Sequence, residues 1–249
     1  MRIIISPAKK MRVDTDSFAP EGLPTFLPET GRLLAALKSM DGPALQKLWK
    51  CNDSIAALNL ERLAHIDLER GLTPALLSYE GIQYQYMAPG VFDREQLDYV
   101  KEHLRILSGF YGLLRPFDGV TPYRLEMAAP LKVDGHKDLY AFWGSKLAEA
   151  LAAQTDLVVN LASKEYSKAV SPHLPSAVAF LTCTFEEEKN GKVVEKGTMC
   201  KMARGEMVRW MAEHHVQQAE ALRDFDRLGY TFSPAHSDPK HYVFLKEEP

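Results

Sequence analysis

The chain has 249 residues, 46% of them hydrophobic and 25% charged, with a formal net charge of −3. That balance excludes a disordered or low-complexity chain and supports a folded domain with a substantial core. It also excludes nucleic-acid recognition through a global basic field, so any phosphate binding must rest on a local cluster.

No run approaches the roughly eighteen apolar residues of a membrane span, and no basic segment followed by an apolar core marks a leader, so a cytoplasmic protein without membrane contact is expected. Cys51, Cys183 and Cys200 are odd in number and far apart, which suggests neither a disulfide framework nor a zinc ribbon. The eight histidines form no HxxxH or HExxH, and no Walker loop, GxGxxG or GxSxG is present, so no metal and no cofactor are expected.

In chain order, Ile3 to Ile5 read as a strand covered on both faces, ended by Ser6-Pro7 and followed by Lys9 and Lys10. Residues 12–28, with Pro20, Pro24 and Pro28, read as an extended loop. Thr30 is expected to cap a helix carrying Leu33, Leu34 and Leu37, and Asp41 another carrying Leu45 and Leu48. A third helix, Ser54 to His65, is expected to take its cap from Asp53 or Ser54 and to face Ile55, Leu58 and Leu63 inward. Asp93 and Gln96 form a capping-box pattern for a helix predicted over Phe92–Leu107.

Leu107 to Met127, LSGFYGLLRPFDGVTPYRLEM, follows as a glycine-rich loop that delivers Tyr123, Arg124 and Glu126. Phe110, Leu113 and Leu114 are expected to anchor it in the core. A helix is predicted over Leu139–Ala153, a buried strand over Leu157–Leu161, and strands over Ala177–Glu186 and Lys192–Met199 joined at Asn190-Gly191. A helix over about Cys200–His215 and short strands near Tyr230–Phe232 and His241–Leu245 complete the chain. The pattern implies one α+β (mixed α/β) domain over 1–249, with a mixed sheet, an antiparallel hairpin and several flanking helices.

Three constellations carry chemistry. Lys9 and Lys164 each follow a short apolar strand after small residues, and ligands gather outside the carboxyl ends of strands in open α/β sheets. With Tyr166, two parallel strands would form a cationic pocket there. Lys201 and Arg204, three apart in the first turn of their helix, are disfavoured by its dipole and need an anion, with Glu206 as an internal candidate. The helical pair around residues 48–59 is compatible with a helix-hairpin-helix phosphate binder, although it lacks the hairpin glycines.

ISPAKKM at 5–11, the 107–127 stretch, KDLYAFWG at 137–144, VVNLASKEYSKAV at 158–170 and KMARGEM at 201–207 occur in this order along the chain. In these segments the sequence resembles the YaaA family of bacterial peroxide stress proteins. The resemblance implies a cytoplasmic protein of the hydrogen peroxide response with a compact mixed fold and a positively charged cleft. It implies binding to double-stranded or junction DNA, a helix-hairpin-helix element within 38–65, and limitation of damage from intracellular iron. No enzymatic activity is assigned to the family. Carried onto this sequence, the pattern gives Lys9, Arg124, Lys164, Lys201 and Arg204 as DNA- or anion-binding residues, with Tyr123, Glu126 and Tyr166 beside them. The same side chains suit an enzyme acting on a small anionic substrate, with Glu126 as base, Tyr123 or Tyr166 as acid, and the cations as clamp.

Overall fold

A computed structural model describes residues 1–189 and 192–246. The strands are β1 (Arg2–Ile5), β2 (Lys10–Met11), β3 (Thr73–Pro74), β4 (Tyr79–Glu80), β5 (Leu104–Ser108), β6 (Gly112–Leu114), β7 (Gly119–Val120), β8 (Leu157–Asn160), β9 (Ala179–Lys189), β10 (Lys192–Val194), β11 (Tyr230–Phe232) and β12 (His241–Lys246). The α-helices are α1 (Leu27–Lys38), α2 (Gly42–Trp49), α3 (Asp53–His65), α4 (Ala75–Ser78), α5 (Ile82–Met87), α6 (Arg94–His103), α7 (Leu139–Trp143), α8 (Lys146–Ala152), α9 (Lys164–Ser167) and α10 (Gly197–Glu213).

The main sheet runs β11-β12-β9-β8-β1-β5-β6, with β10 paired to β9. Its five middle strands are parallel, while β6, β10 and β11 pair antiparallel. Parallel strands need cover on both faces, which is why β1 and β8 are continuous apolar runs: Ile3, Ile4, Ile5, Val158 and Val159 are all fully buried. The chain is one mixed α/β domain, as its patterning implies. No helix among the described residues is long and apolar enough to cross a membrane.

The structure corrects several local expectations. The capping box at Asp93 forms, but α6 stops at His103, and Leu104 to Ser108 belong to β5. Leu104 and Leu107 share the helical spacing of Leu97 and Val100, yet tertiary pairing with β1 makes them strand residues. Residues 107–114 are therefore a hairpin of β5 and β6 rather than a loop, with Phe110, Leu113 and Leu114 buried as expected.

Thr30 lies inside α1, whose N-cap is Phe26, and its hydroxyl bonds to the carbonyls of Phe26 and Phe110. Asp41 does cap α2, but Asn52 rather than Asp53 or Ser54 caps α3. On α3, Ala56 and Asn59 are buried while Ile55 and Leu58 are exposed, so its inward face is rotated from the expected one. Gly144 divides the helix predicted at 139–153 into α7 and α8. β9 and β10 pair as a hairpin whose Asn190-Gly191 turn lies outside the described residues. The strand predicted to reach Met199 ends at Val194, and α10 starts at Gly197, so Lys201 and Arg204 lie beyond its first turn.

Candidate functional site

The two central strands direct the chain to opposite sides. From β1 the main sheet is next joined at β5, and from β8 at the neighbour on the other side, β9. A crevice opens at such a switch point because the loops leaving the strands diverge. Here the loops stay coupled at their base: the Ser163 backbone N–H donates to Ser6 Oγ at 2.9 Å, and Asn160 Oδ1 accepts from the Ala162 N–H at 3.0 Å. Above them lies a cleft of about 430 Å³, whose walls come from residues 6–10, 80–84 and 123–126, from Ser163, Glu165 and Tyr166, and from Lys201 and Arg204 of α10.

Two close backbone approaches assemble these walls. A Cβ on Gly205 would lie 2.0 Å from the Gln83 carbonyl oxygen, so only glycine lets α10 seat against α5 and present Lys201 and Arg204. A Cβ on Gly109 would lie 2.6 Å from the Leu125 carbonyl oxygen, so the β5–β6 turn fits directly beneath the segment that carries Arg124 and Glu126. The remaining wall is tied by β2–β4 pairing, by the Lys10–Glu80 ion pair at 3.0 Å, and by the Tyr84 hydroxyl donating to the Ser6 carbonyl at 3.0 Å.

Lys9, Tyr123, Arg124, Glu126, Tyr166, Lys201 and Arg204 all line this cleft, although they come from four distant parts of the sequence. Lys164 does not: it is the first residue of α9, exposed, and between the lining residues Ser163 and Glu165. Glu126 Oε1 is 3.1 Å from Arg124 Nη2 and 3.3 Å from Lys9 Nζ. Arg204 Nη2 is 2.7 Å from Glu195 Oε1, whereas Glu206, the partner expected from sequence, pairs with Arg227. Lys201 is exposed and has no carboxylate within ion-pair distance among the described residues.

Six buried side-chain polar atoms among the described residues lack a hydrogen-bond partner, and four belong to residues that line the cleft: Gln83 Nε2, Arg124 Nε, Arg204 Nε and Glu126 Oε1, the last held only by its ion pairs with Arg124 and Lys9. Buried polar groups are costly to leave unpaired, so their concentration here marks a place where a ligand would supply partners. Arg124 also borders a much smaller cavity of about 10 Å³ beside Trp49 and Asn59, where a single water has room at most.

Three phenols, Tyr84, Tyr123 and Tyr166, line the cleft as well. Tyr123 shares hydrogen bonds with Ser108 Oγ at 2.6 Å and the Tyr79 hydroxyl at 2.9 Å. Burial pushes the Tyr123 phenol up to about 12, and burial holds Tyr79, Tyr84 and Tyr166 well above the usual tyrosine range. All four stay protonated at physiological pH and act as hydrogen-bond donors rather than bases.

Sequence reasoning missed Gln83, Tyr84 and Glu80. The available signal was the spacing of Gln83 and Met87, four apart on one buried helical face, which puts an amide where an apolar side chain is the rule. Among the described residues, no group of three His, Cys, Asp or Glu side chains is arranged to hold a metal ion.

A family model described as Peroxide stress protein YaaA matches residues 1–236. A UPF0246 protein from Lachnoclostridium phytofermentans is 52% identical over 248 residues, covering 100% of this chain and 97% of the relative. One from Pediococcus pentosaceus is also 52% identical over 248 residues, covering 100% and 99%. One from Agathobacter rectalis is 49% identical over 247 residues, covering 99% of each. With so long a match and such identity, this chain belongs to the YaaA family of peroxide stress proteins.

Proposed function

We propose that this peroxide stress protein acts by binding an anionic, phosphate- or carboxylate-bearing ligand in the cleft above β1 and β8. The observation that carries this is the pair of buried Nε–H groups of Arg124 and Arg204 without acceptors, in a cleft with Lys9 and Lys201. A volume near 430 Å³ is that of a small-molecule site and cannot admit a duplex. Turnover of the ligand fits the same residues. Glu126 is the base, and Tyr166 is a freer proton donor than Tyr123, whose hydroxyl is already held by Ser108 and Tyr79.

A second reading, binding of duplex or junction DNA, is favoured by the exposed lysines. The Lys9 and Lys10 side chains are 68% and 78% exposed, and Lys164 and Lys201 are exposed too, which suits phosphate contacts outside the cleft. The α2–α3 pair contributes less to this reading. The Asn52 side chain already caps α3 and Asp53 occupies its first turn, so the end that would meet a phosphate is satisfied and acidic. Limitation of iron-dependent damage rests on the family resemblance alone.

A thermal-shift screen of the intact protein against phosphate, carboxylates and phosphorylated metabolites, run beside gel shifts with duplex and junction DNA, tests the ranking. Stabilisation by a small anion that duplex does not displace supports the cleft reading. Tight duplex binding with no response to any small anion reverses it.

A further inference from the structure

Charge in the cleft is divided by depth. Both guanidinium groups are paired with a carboxylate, Arg204 with Glu195 at 2.7 Å and Arg124 with Glu126 at 3.1 Å. Their side chains are only 9% and 10% exposed. Lys10 is paired with Glu80, and Lys9 shares Glu126 with Arg124. The positive charge without a carboxylate of its own therefore sits outward, on exposed Lys201 and on the part of Lys9 that Glu126 does not offset. The interior offers hydrogen-bond donors with little net charge. Gln83, 7% exposed, adds a neutral amide with a free N–H, and Gly205 holds α10 against its backbone so that Gln83 and Arg204 belong to one wall.

A simple anion such as phosphate would use the outer charge and leave the inner amide unpaired. A ligand that satisfies both zones carries an anion at one end and a neutral group with hydrogen-bond acceptors at the other. It also has a flat apolar body, since Ile82, Tyr84, Leu125 and Tyr166 line the same cleft. Nucleobases combine such a body with an edge of acceptors and donors, and aromatic walls suit them. We infer that the cleft binds a nucleoside phosphate, with the phosphate toward Lys9 and Lys201, the base against Tyr84 and Tyr166, and its edge met by Gln83. This rests on the anion-binding reading above and adds the class of ligand and the role of Gln83.

Calorimetric titration of the full chain with the four common nucleoside 5′-monophosphates, ribose 5-phosphate and inorganic phosphate tests it. At least one nucleotide is expected to bind about tenfold or more tightly than ribose 5-phosphate, the difference one or two buried base contacts supply. Gln83→Met, of similar length but without the amide, should erase most of that preference while leaving ribose 5-phosphate affinity unchanged. Lys201→Ala should weaken both ligands alike. Should Gln83→Met fail to fold, Tyr166→Leu, which removes a wall of the base subsite, should likewise lower nucleotide affinity by a larger factor than ribose 5-phosphate affinity. Equal binding of nucleotide and ribose 5-phosphate overturns the nucleoside assignment and leaves anion binding standing. No binding by any of the six probes overturns the nucleoside assignment and phosphate binding together. Competition with a short single-stranded oligonucleotide identifies the source once a nucleotide binds: displacement assigns an unpaired nucleotide of a strand, and no displacement a free one.

Discussion

Glu126 shows how one side chain sets the behaviour of its neighbours. Its carboxylate oxygen stands between Arg124 and Lys9, so it lowers the positive charge an incoming anion meets while keeping both cations in place. Glu126→Gln should therefore raise affinity for a small anion several-fold. It should also lower unfolding free energy in urea by about 2 kcal/mol, since a largely buried guanidinium loses its charged partner. Tyr123 gives a pH test. Its folded-state value, pushed up to about 12 by burial, lies above the unfolded value near 10. The stabilisation from keeping it protonated is fully present below pH 10 and is lost as pH rises from about 10 to 12. In an ultraviolet titration, the tyrosinate signal of Tyr123 should appear only together with loss of structure in that window. Smooth ionisation of all ten tyrosines near pH 10 in the folded protein would contradict its burial.

At the scale of elements, the cleft depends on α10 lying against α5. Gly205→Ala places a methyl 2.0 Å from the Gln83 carbonyl oxygen, and the contact is to backbone, so the helices must separate. The expected cost is about 3 kcal/mol or more, read by urea denaturation, with ligand binding lost in whatever fraction still folds. By contrast, Asn52→Ala removes the cap of α3, away from the cleft, and should cost about 1 kcal/mol with ligand affinity unchanged. Local signals of this kind were the readable part of the sequence: the Asp41 cap and the Asp93–Gln96 box stand where their residue types imply. Periodicity misled at Leu104 and Leu107, because a helical spacing continued into residues that pair with β1.

For the whole molecule, the decisive feature is that β1 lies between β5 and β8 and the sheet is extended in opposite directions from it. This brings Lys9, from the start of the chain, to Glu126 near its middle, and both to Arg204 near its end. With a net charge of −3, long-range attraction for polyanions is weak, and only the local cluster is available. If DNA phosphates contact the exposed lysines, duplex affinity should fall steeply between 50 and about 200 mM salt. Lys9→Ala or Lys201→Ala should flatten the slope by about one counterion each. A ligand inside the cleft should show a much shallower salt dependence, because one or two charges are involved. Parallel titrations across salt concentrations separate the two.

The sequence by itself determined the buried strands β1 and β8, the caps at Asp41 and Asp93, the family and five of the charged residues that line the cleft, since apolar runs, caps and ordered motifs are properties of neighbouring residues. The tertiary structure alone decided that Lys9 joins the cleft and Lys164 stands outside its lining, that Arg204 pairs with Glu195 and not Glu206, and that Gln83 is a buried donor without a partner. These outcomes follow from strand order and from the close approaches at Gly109 and Gly205, which bring together residues far apart in the chain and so leave no trace in any local pattern.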